Sequence, residues 1–145
     1  FNTSGGASSM CKTFAGKVRQ LSYKTIRYPG HFDRMKFLLD DLNLKHNKQM
    51  FIDLFDQEVP YTTSDVIVIF ASVTGKKNDK LIEKTYHKKI YGQKGLSAIQ
   101  LSTASGMCAN IMLWAQNELQ GGAMKQEDIP YDKWIQTKFG KVYQQ

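Results

Sequence analysis

The side chains best suited to binding a carboxylate lie around a turn near residue 28. The segment Arg27–His31 reads Arg-Tyr-Pro-Gly-His, and its Pro-Gly pair predicts a turn between an extended stretch and a helix. A guanidinium clamps a carboxylate through two parallel N–H bonds, which gives Arg27 a chemical role. Arg27 can equally pair with Asp33 or with a partner domain, so the residues alone leave both interpretations open.

A second candidate binding segment is Phe1–Gly6, in which Asn2, Thr3 and Ser4 precede two glycines. An amide, two hydroxyls and backbone N–H groups near a helix start suit an anion such as a carboxylate. The alternative is that Thr3 or Ser4 only caps a helix.

No complete catalytic motif stands in the sequence. It lacks a nucleophile elbow, a phosphate-binding loop and a Gly-x-Gly-x-x-Gly string after a strand. The histidines have no ligand spacing: we expect His46 and His87 on the surface, and only His31 has a position that suggests acid–base work. Cys11 and Cys108 are isolated thiols, and Cys108 is expected in the core. We therefore predict no metal site, and the catalytic residues stay unknown.

Length and composition favour one compact domain over residues 1–145. The chain has 145 residues, of which 41% are hydrophobic, and a formal charge of +7. Its longest apolar run, Val66–Ala71, is too short to span a bilayer, so we predict no membrane partner. Two unpaired cysteines favour a reducing compartment, and hence the cytoplasm. Because the chain begins at Phe1 and not at Met, we expect a domain of a larger protein.

The lysines cluster around a predicted hairpin, at positions 76, 77, 80, 84, 88 and 89. One interpretation is a surface for an acidic partner. The other is that lysines on an exposed strand discourage pairing with other sheets. Because no stacking aromatic platform accompanies them, we favour the second interpretation and predict no nucleic-acid partner.

Hydrophobic periodicity predicts an α+β domain with helices packed on a mostly antiparallel or mixed sheet. The predicted strands cover Lys17–Tyr28, the buried run Val66–Val73 and Leu81–Tyr91, with a polar loop over Thr74–Asp79. Amphipathic helices are predicted over Phe32–Leu42, around Met50–Phe55 and after Pro130.

The longest predicted helix begins at Ser97, which forms a capping box with Gln100, and ends at Gly121. Gly106 within it indicates close approach to another backbone. Its predicted buried stripe consists of Leu101, Ala104, Cys108, Ile111, Ala115 and Leu119.

These segments, in this order, resemble the saccharopine dehydrogenase family, and specifically its C-terminal substrate-binding domain. The resemblance runs from end to end. Its landmarks are the opening Phe-Asn-Thr-Ser-Gly-Gly, the string Tyr-Lys-Thr-Ile-Arg-Tyr-Pro-Gly-His at 23–31, Ser72–Gly75, Ser97–Gly106, Gln126–Ile129 and Phe139-Gly140.

The resemblance implies an oxidoreductase of lysine metabolism that acts on the CH–NH bond of an amino-acid adduct, using NAD or NADP. It implies the glyceraldehyde-3-phosphate-dehydrogenase-like C-terminal domain type, a homodimer, and a Rossmann domain outside this chain, so the fragment alone is expected to be inactive. The substrate-binding residues that it implies are Asn2, Thr3, Ser4, Gly5, Arg27, Tyr28 and His31.

Two alternatives stay open. Within the family, the substrate can be lysine itself or carboxynorspermidine. In a different class, the chain is a non-catalytic module that binds amino acids or an acidic partner.

Overall fold

The computed structural model describes residues 6–93 and 95–145. The predicted contacts of Asn2, Thr3, Ser4 and Gly5 therefore lie outside the described residues. Backbone contacts divide the chain into two compact units. The first unit contains Ser22–Thr62 together with Gly6, and the second contains Ala7–Leu21 and Thr63–Gln145. Helices accompany a two-stranded antiparallel sheet, which confirms a mixed α+β fold.

The α-helices of the described residues are α1 (Met10–Thr13), α2 (His31–Lys36), α3 (Lys48–Glu58), α4 (Ala98–Ala115) and α5 (Tyr131–Gln136). The strands are β1 (Val66–Lys77) and β2 (Lys80–Tyr91). A π-helical turn over Phe37–Asp41 continues α2. The 3-10 turns of the described residues lie at Leu44–His46, Gln126–Asp128 and Gly140–Tyr143. Within the described ranges, we find no helix with both the length and the apolar character needed to cross a bilayer.

The first unit contains α2 and α3, as the sequence predicts. Its core residue is Leu44, which is 7% exposed and follows Asn43 in the left-handed conformation at φ 56°. Asn47 caps α3, because its Oδ1 atom accepts a hydrogen bond from the Met50 backbone nitrogen at 3.1 Å.

The predicted strand over Lys17–Tyr28 is wrong. Residues 18–28 have no regular secondary structure, and the described part of the sheet consists of β1 and β2 alone. Strand residues need a neighbour to receive their backbone hydrogen bonds, and this segment has none among the described strands. Its apolar side chains accordingly stay open to solvent, with Leu21 39% and Tyr23 56% exposed.

Strands β1 and β2 form one long hairpin in the second unit. They pair from Val66 opposite Tyr91 to Lys77 opposite Lys80. The turn residues Asn78 and Asp79 both have positive φ, at 51° and 58°, which is the pattern of a two-residue type I′ turn. The predicted loop over Thr74–Asp79 is therefore too long, because residues 74–77 belong to β1 and only Asn78 and Asp79 form the turn.

The described residues cover only one face of the hairpin, although the sequence predicts a strand buried on both faces. On the covered face, Ile67 and Ile69 are half-buried and their neighbour Ile90 is 4% exposed. On the open face, Val68 is 47% and Phe70 61% exposed. An apolar run on both faces needs two covering layers, and α4 provides one.

Helix α4 begins with the predicted capping box between Ser97 and Gln100. It ends at Ala115, before the predicted stop at Gly121. The predicted buried stripe is wrong, since Ile111 is 54% exposed and Cys108 only half-buried. The helix is apolar around its circumference, so periodicity does not select a face. The buried positions are Ala98, Ser102, Ser105, Ala109 and Leu113.

Candidate functional site

The Pro-Gly turn of the first unit brings Arg27 and His31 to one cavity. The His31 backbone nitrogen donates to the Tyr28 carbonyl oxygen at 3.1 Å, which closes a four-residue turn. Pro29 occupies its second position, and Gly30, with φ 79°, occupies its third. This arrangement fits a type II turn, where only glycine takes the third position without strain. The turn reverses the chain directly before α2, so Arg27 and His31 line the same space.

The cavity encloses about 550 Å³ and lies within the first unit. Its apolar wall consists of Phe32, Met35 and Leu39. These residues recur at intervals of three and four along α2 and its π-helical continuation, and so they share a face of that segment. An aliphatic chain of a ligand has an apolar surface to lie against here.

The charged groups around this cavity are mainly cationic. Arg27, Lys36 and Lys45 contribute positive charge, and Asp40 is the one carboxylate among the described residues that line the cavity. Asp40 is already paired, because its Oδ1 atom lies 3.0 Å from the Lys45 Nζ atom. The remaining cations, Arg27 and Lys36, therefore give the wall a net positive charge that favours an anionic ligand.

Tyr28 is not part of this cavity. The resemblance predicts Tyr28 as a site residue together with Arg27 and His31, but its side chain is 82% exposed and does not line the cavity. Of the predicted site residues that the structure describes, Arg27 and His31 come together and Tyr28 points elsewhere.

A close approach links the two segments that carry the family resemblance. A Cβ atom added to Gly6 would collide with the Cγ, Cδ1 and Cε1 atoms of the Tyr23 ring. The glycine that ends the opening Ser-Gly-Gly string therefore packs directly against the irregular segment that leads to Arg27. Only a residue without a side chain fits at this point.

Sequence reasoning missed Lys36, Asp40 and Lys45. A signal was present, because Phe32, Lys36 and Asp40 follow one another at intervals of four on a predicted helix and so share a face. Lys45 carries no such signal, since it reaches the cavity through the 3-10 turn after the left-handed Asn43. Among residues 6–93 and 95–145, no group of three His, Cys, Asp or Glu side chains is placed to hold a metal ion.

Comparison with known proteins adds no assignment. No protein-family model matches the chain, and no solved structure matches it either. The cavity and its charges are therefore the basis for a functional assignment.

Proposed function

We propose that this chain is the substrate-binding portion of a saccharopine dehydrogenase-like oxidoreductase, which acts on the CH–NH bond of an amino-acid adduct of lysine metabolism. The observation that carries this proposal is the convergence of Arg27 and His31 on one cavity with a cationic wall. Saccharopine has an aliphatic backbone with carboxylates along it. Such a ligand matches cationic groups next to an apolar face.

The role of the chain's own residues is to bind and orient the substrate. Arg27 clamps a substrate carboxylate, with Lys36 contributing charge, while the apolar wall of Met35 and Leu39 holds the methylene chain. Fixing both ends of a flexible substrate lowers the entropic cost of reaching the reactive geometry. The same groups suit the runner-up substrates, lysine and carboxynorspermidine, less well where these have fewer carboxylates.

The described residues do not fit a dinucleotide. A nucleotide-binding unit needs parallel strands joined by a glycine-rich loop and a helix, whereas the described sheet is a single antiparallel hairpin. We assign NAD or NADP to a Rossmann domain outside this chain. Hydride transfer therefore requires the larger protein, and the chain alone is expected to be inactive.

The same proposal includes the domain type, the assembly and the location of the protein. The domain type is that of the glyceraldehyde-3-phosphate-dehydrogenase-like C-terminal domain, supported by a helix packed on an antiparallel sheet. The assembly is a homodimer, supported by the open apolar face of the hairpin at Val68 and Phe70. The cytoplasm is the proposed location, supported by the free thiols of Cys11 and Cys108.

The direct test is turnover by the intact protein that contains this chain. NAD(P)-dependent absorbance at equal concentrations of saccharopine, lysine and carboxynorspermidine should be highest with saccharopine. No turnover of saccharopine would overturn the choice of substrate. No turnover of any of the three would remove the enzyme assignment.

Binding of saccharopine to the chain itself tests the cavity. Calorimetry with Arg27→Gln should show affinity at least roughly tenfold lower, as expected for loss of a bidentate carboxylate contact. Arg34→Gln is the matched control, because Arg34 lies on α2 outside the cavity and undergoes the same change of charge. Equal effects of the two substitutions would show that only net charge matters.

A second candidate is the module that binds an acidic partner through the hairpin. The register places Lys77 and Lys80 directly opposite each other, with Lys84 on the same face. Like charges that face each other are destabilising, and an anionic partner would relieve them. Heparin binding that weakens steeply with salt, and that Lys77→Gln/Lys80→Gln reduces, would support this candidate. Absence of heparin binding at low salt would exclude it.

A further inference from the structure

The second unit contains a larger cavity, of about 960 Å³, with a mainly apolar wall. This volume is within the range of small-molecule sites. A few polar groups stand in that wall, and their chemistry determines which ligand the cavity can accept.

Glu127 supplies a fixed negative charge at this cavity. Its Oε2 atom accepts from the Ser9 hydroxyl at 2.8 Å, and its Oε1 atom accepts from the Thr13 hydroxyl at 2.5 Å. These bonds, that of Thr13 first, lower the pKa of Glu127 below its ordinary value, so the carboxylate is ionised at neutral pH. Each oxygen keeps one further acceptor position for a ligand.

Asn110 supplies an acceptor that no described group satisfies. Asn110 is one of the residues that line the same cavity, and its Oδ1 atom is buried with no hydrogen-bond partner among the described residues. A buried carbonyl oxygen without a donor is energetically costly. A ligand with an N–H or O–H group at this point would remove that cost.

Aromatic rings make up much of the remaining wall. Trp134 contacts both Tyr131 and Tyr143, whose ring centroids lie 6.3 Å and 5.0 Å from its own. Tyr131 is 57% exposed and so stands at the rim, while the other two rings are half-buried. Aromatic faces attract organic cations, and tryptophan does so best.

The hydroxyl groups of Tyr86 and Tyr143 already donate their protons to backbone carbonyl oxygens. The Tyr86 hydroxyl donates to the Tyr143 carbonyl oxygen at 2.6 Å, and the Tyr143 hydroxyl donates to the Ser102 carbonyl oxygen at 2.5 Å. Both phenol oxygens can therefore only accept from a ligand. Among the described residues that line the cavity, Lys84 is the one cation, and it is an exposed residue.

We infer that this cavity binds an alkylammonium ion, with the ammonium group donating to Glu127 and Asn110 and the alkyl substituent lying against the aromatic rings. The negative charge, the unsatisfied acceptor and the π faces all favour a cation with N–H donors. This site lies wholly within the second unit, and so it stands independently of the proposed function and its cavity in the first unit.

Fluorescence of Trp134 can test this directly. The chain has two tryptophans, and in a Trp114→Phe variant all tryptophan emission comes from Trp134. Titration with n-butylammonium should change this emission saturably. The neutral analogue 1-butanol and the anion pentanoate should bind at least tenfold more weakly. Equal or tighter binding of 1-butanol or of pentanoate would overturn the inference, as would the absence of a saturable change with n-butylammonium.

Substitutions then locate the cation. Glu127→Gln and Asn110→Leu, in the Trp114→Phe background, should each weaken n-butylammonium binding, by about tenfold for the loss of the charge. Asn110→Leu provides the second variant because Glu127 also anchors Ser9 and Thr13. Lys84→Gln is the control, because it removes a positive instead of a negative charge from the lining, and it should leave n-butylammonium binding unchanged or tighten it. Unchanged binding in both folded variants would also overturn the inference.

Discussion

The Oδ1 atom of Asp65 lies 2.5 Å from the backbone nitrogen of Ala98, and its Oδ2 atom lies 3.2 Å from that of Ile99. Asp65 directly precedes β1, and so one carboxylate joins the start of the hairpin to the first turn of α4. The helix terminus has unsatisfied N–H groups that favour a negative charge. The bond from Ala98, followed by that from Ile99, holds the pKa of Asp65 below its ordinary value of 3.8.

We predict that Asp65→Asn lowers the urea midpoint of unfolding at neutral pH and flattens its dependence on acid. A carboxyl group whose pKa is lower in the folded than in the unfolded state stabilises the protein at pH values above the unfolded-state pKa. This stabilisation is lost as pH falls through the folded-state pKa. The urea midpoint of the wild type should therefore decrease as pH drops below about 5. In the variant this decrease should be smaller but still present, because the pKa of Glu127 is also lowered and its stabilisation is lost in acid as well.

Asp56→Asn is the control for this prediction. Asp56 is an exposed residue of α3 and undergoes the same change of charge. Equal acid profiles for the Asp65 and Asp56 variants would show that the bonds to α4 contribute nothing to stability.

We predict that Leu113→Ala destabilises the protein by about 2–5 kcal/mol, the range for truncating a buried leucine. Leu113 is 2% exposed on the face of α4 that packs inward. The matched control is Ile111→Ala on the same helix, which should cost less because Ile111 is 54% exposed. Chemical denaturation measures both. A larger loss for Ile111 would indicate that the helix packs on the stripe predicted from sequence.

We predict that Gly140→Ala costs about 1–3 kcal/mol, as expected for overpacking at a close contact. A Cβ atom at Gly140 would collide with the Trp134 carbonyl oxygen, and the Gly140 nitrogen is held by the Thr137 hydroxyl at 2.8 Å. Gly121→Ala is the control, since a Cβ atom there meets nothing within 4 Å. Thermal unfolding of the two variants should differ clearly, and equal melting temperatures would contradict the close approach.

We predict that Asp79→Gly stabilises the hairpin by about 0.5 kcal/mol, because it creates the Asn-Gly pair that type I′ turns favour. Asp79 has φ 58°, a conformation that costs a residue with a side chain more than it costs glycine. Asp79→Val should have the opposite effect, since a β-branched residue tolerates this region poorly. Denaturant midpoints of the two variants measure the difference. A gain from valine would show that the turn has another form.

Local signals in the sequence predicted what local physics decides. The capping box of Ser97 and Gln100 and the Pro-Gly turn before His31 depend on neighbours a few residues away, and both are present. The prediction of a strand over Lys17–Tyr28 was wrong because a strand needs a hydrogen-bond partner from elsewhere in the chain, which the local sequence does not reveal. The prediction of the buried face of α4 was wrong because the helix is apolar on several faces. Small residues such as Ala109 lie on the face that packs closely against the rest of the unit.

The candidate site divides in the same way. Arg27 and His31 could be predicted together, because a turn of known type joins them. The pairing of Asp40 with Lys45 depends on the left-handed Asn43, which the sequence does not announce. The acceptor set of Glu127 and Asn110 combines residues from α4 and from a distant 3-10 turn, so no spacing rule could reveal it.

The bonds from Ser9 and Thr13 to Glu127 have a consequence for synthesis. They close a span of 118 residues in the first case and 114 in the second, and in the sequence Ser22–Thr62 of the first unit separates the two parts of the second unit. Contacts this distant along the chain form slowly, since a long loop must close first. During synthesis, the contacts of Ser9 and Thr13 with Glu127 can therefore form only after residue 127 has been added to the chain.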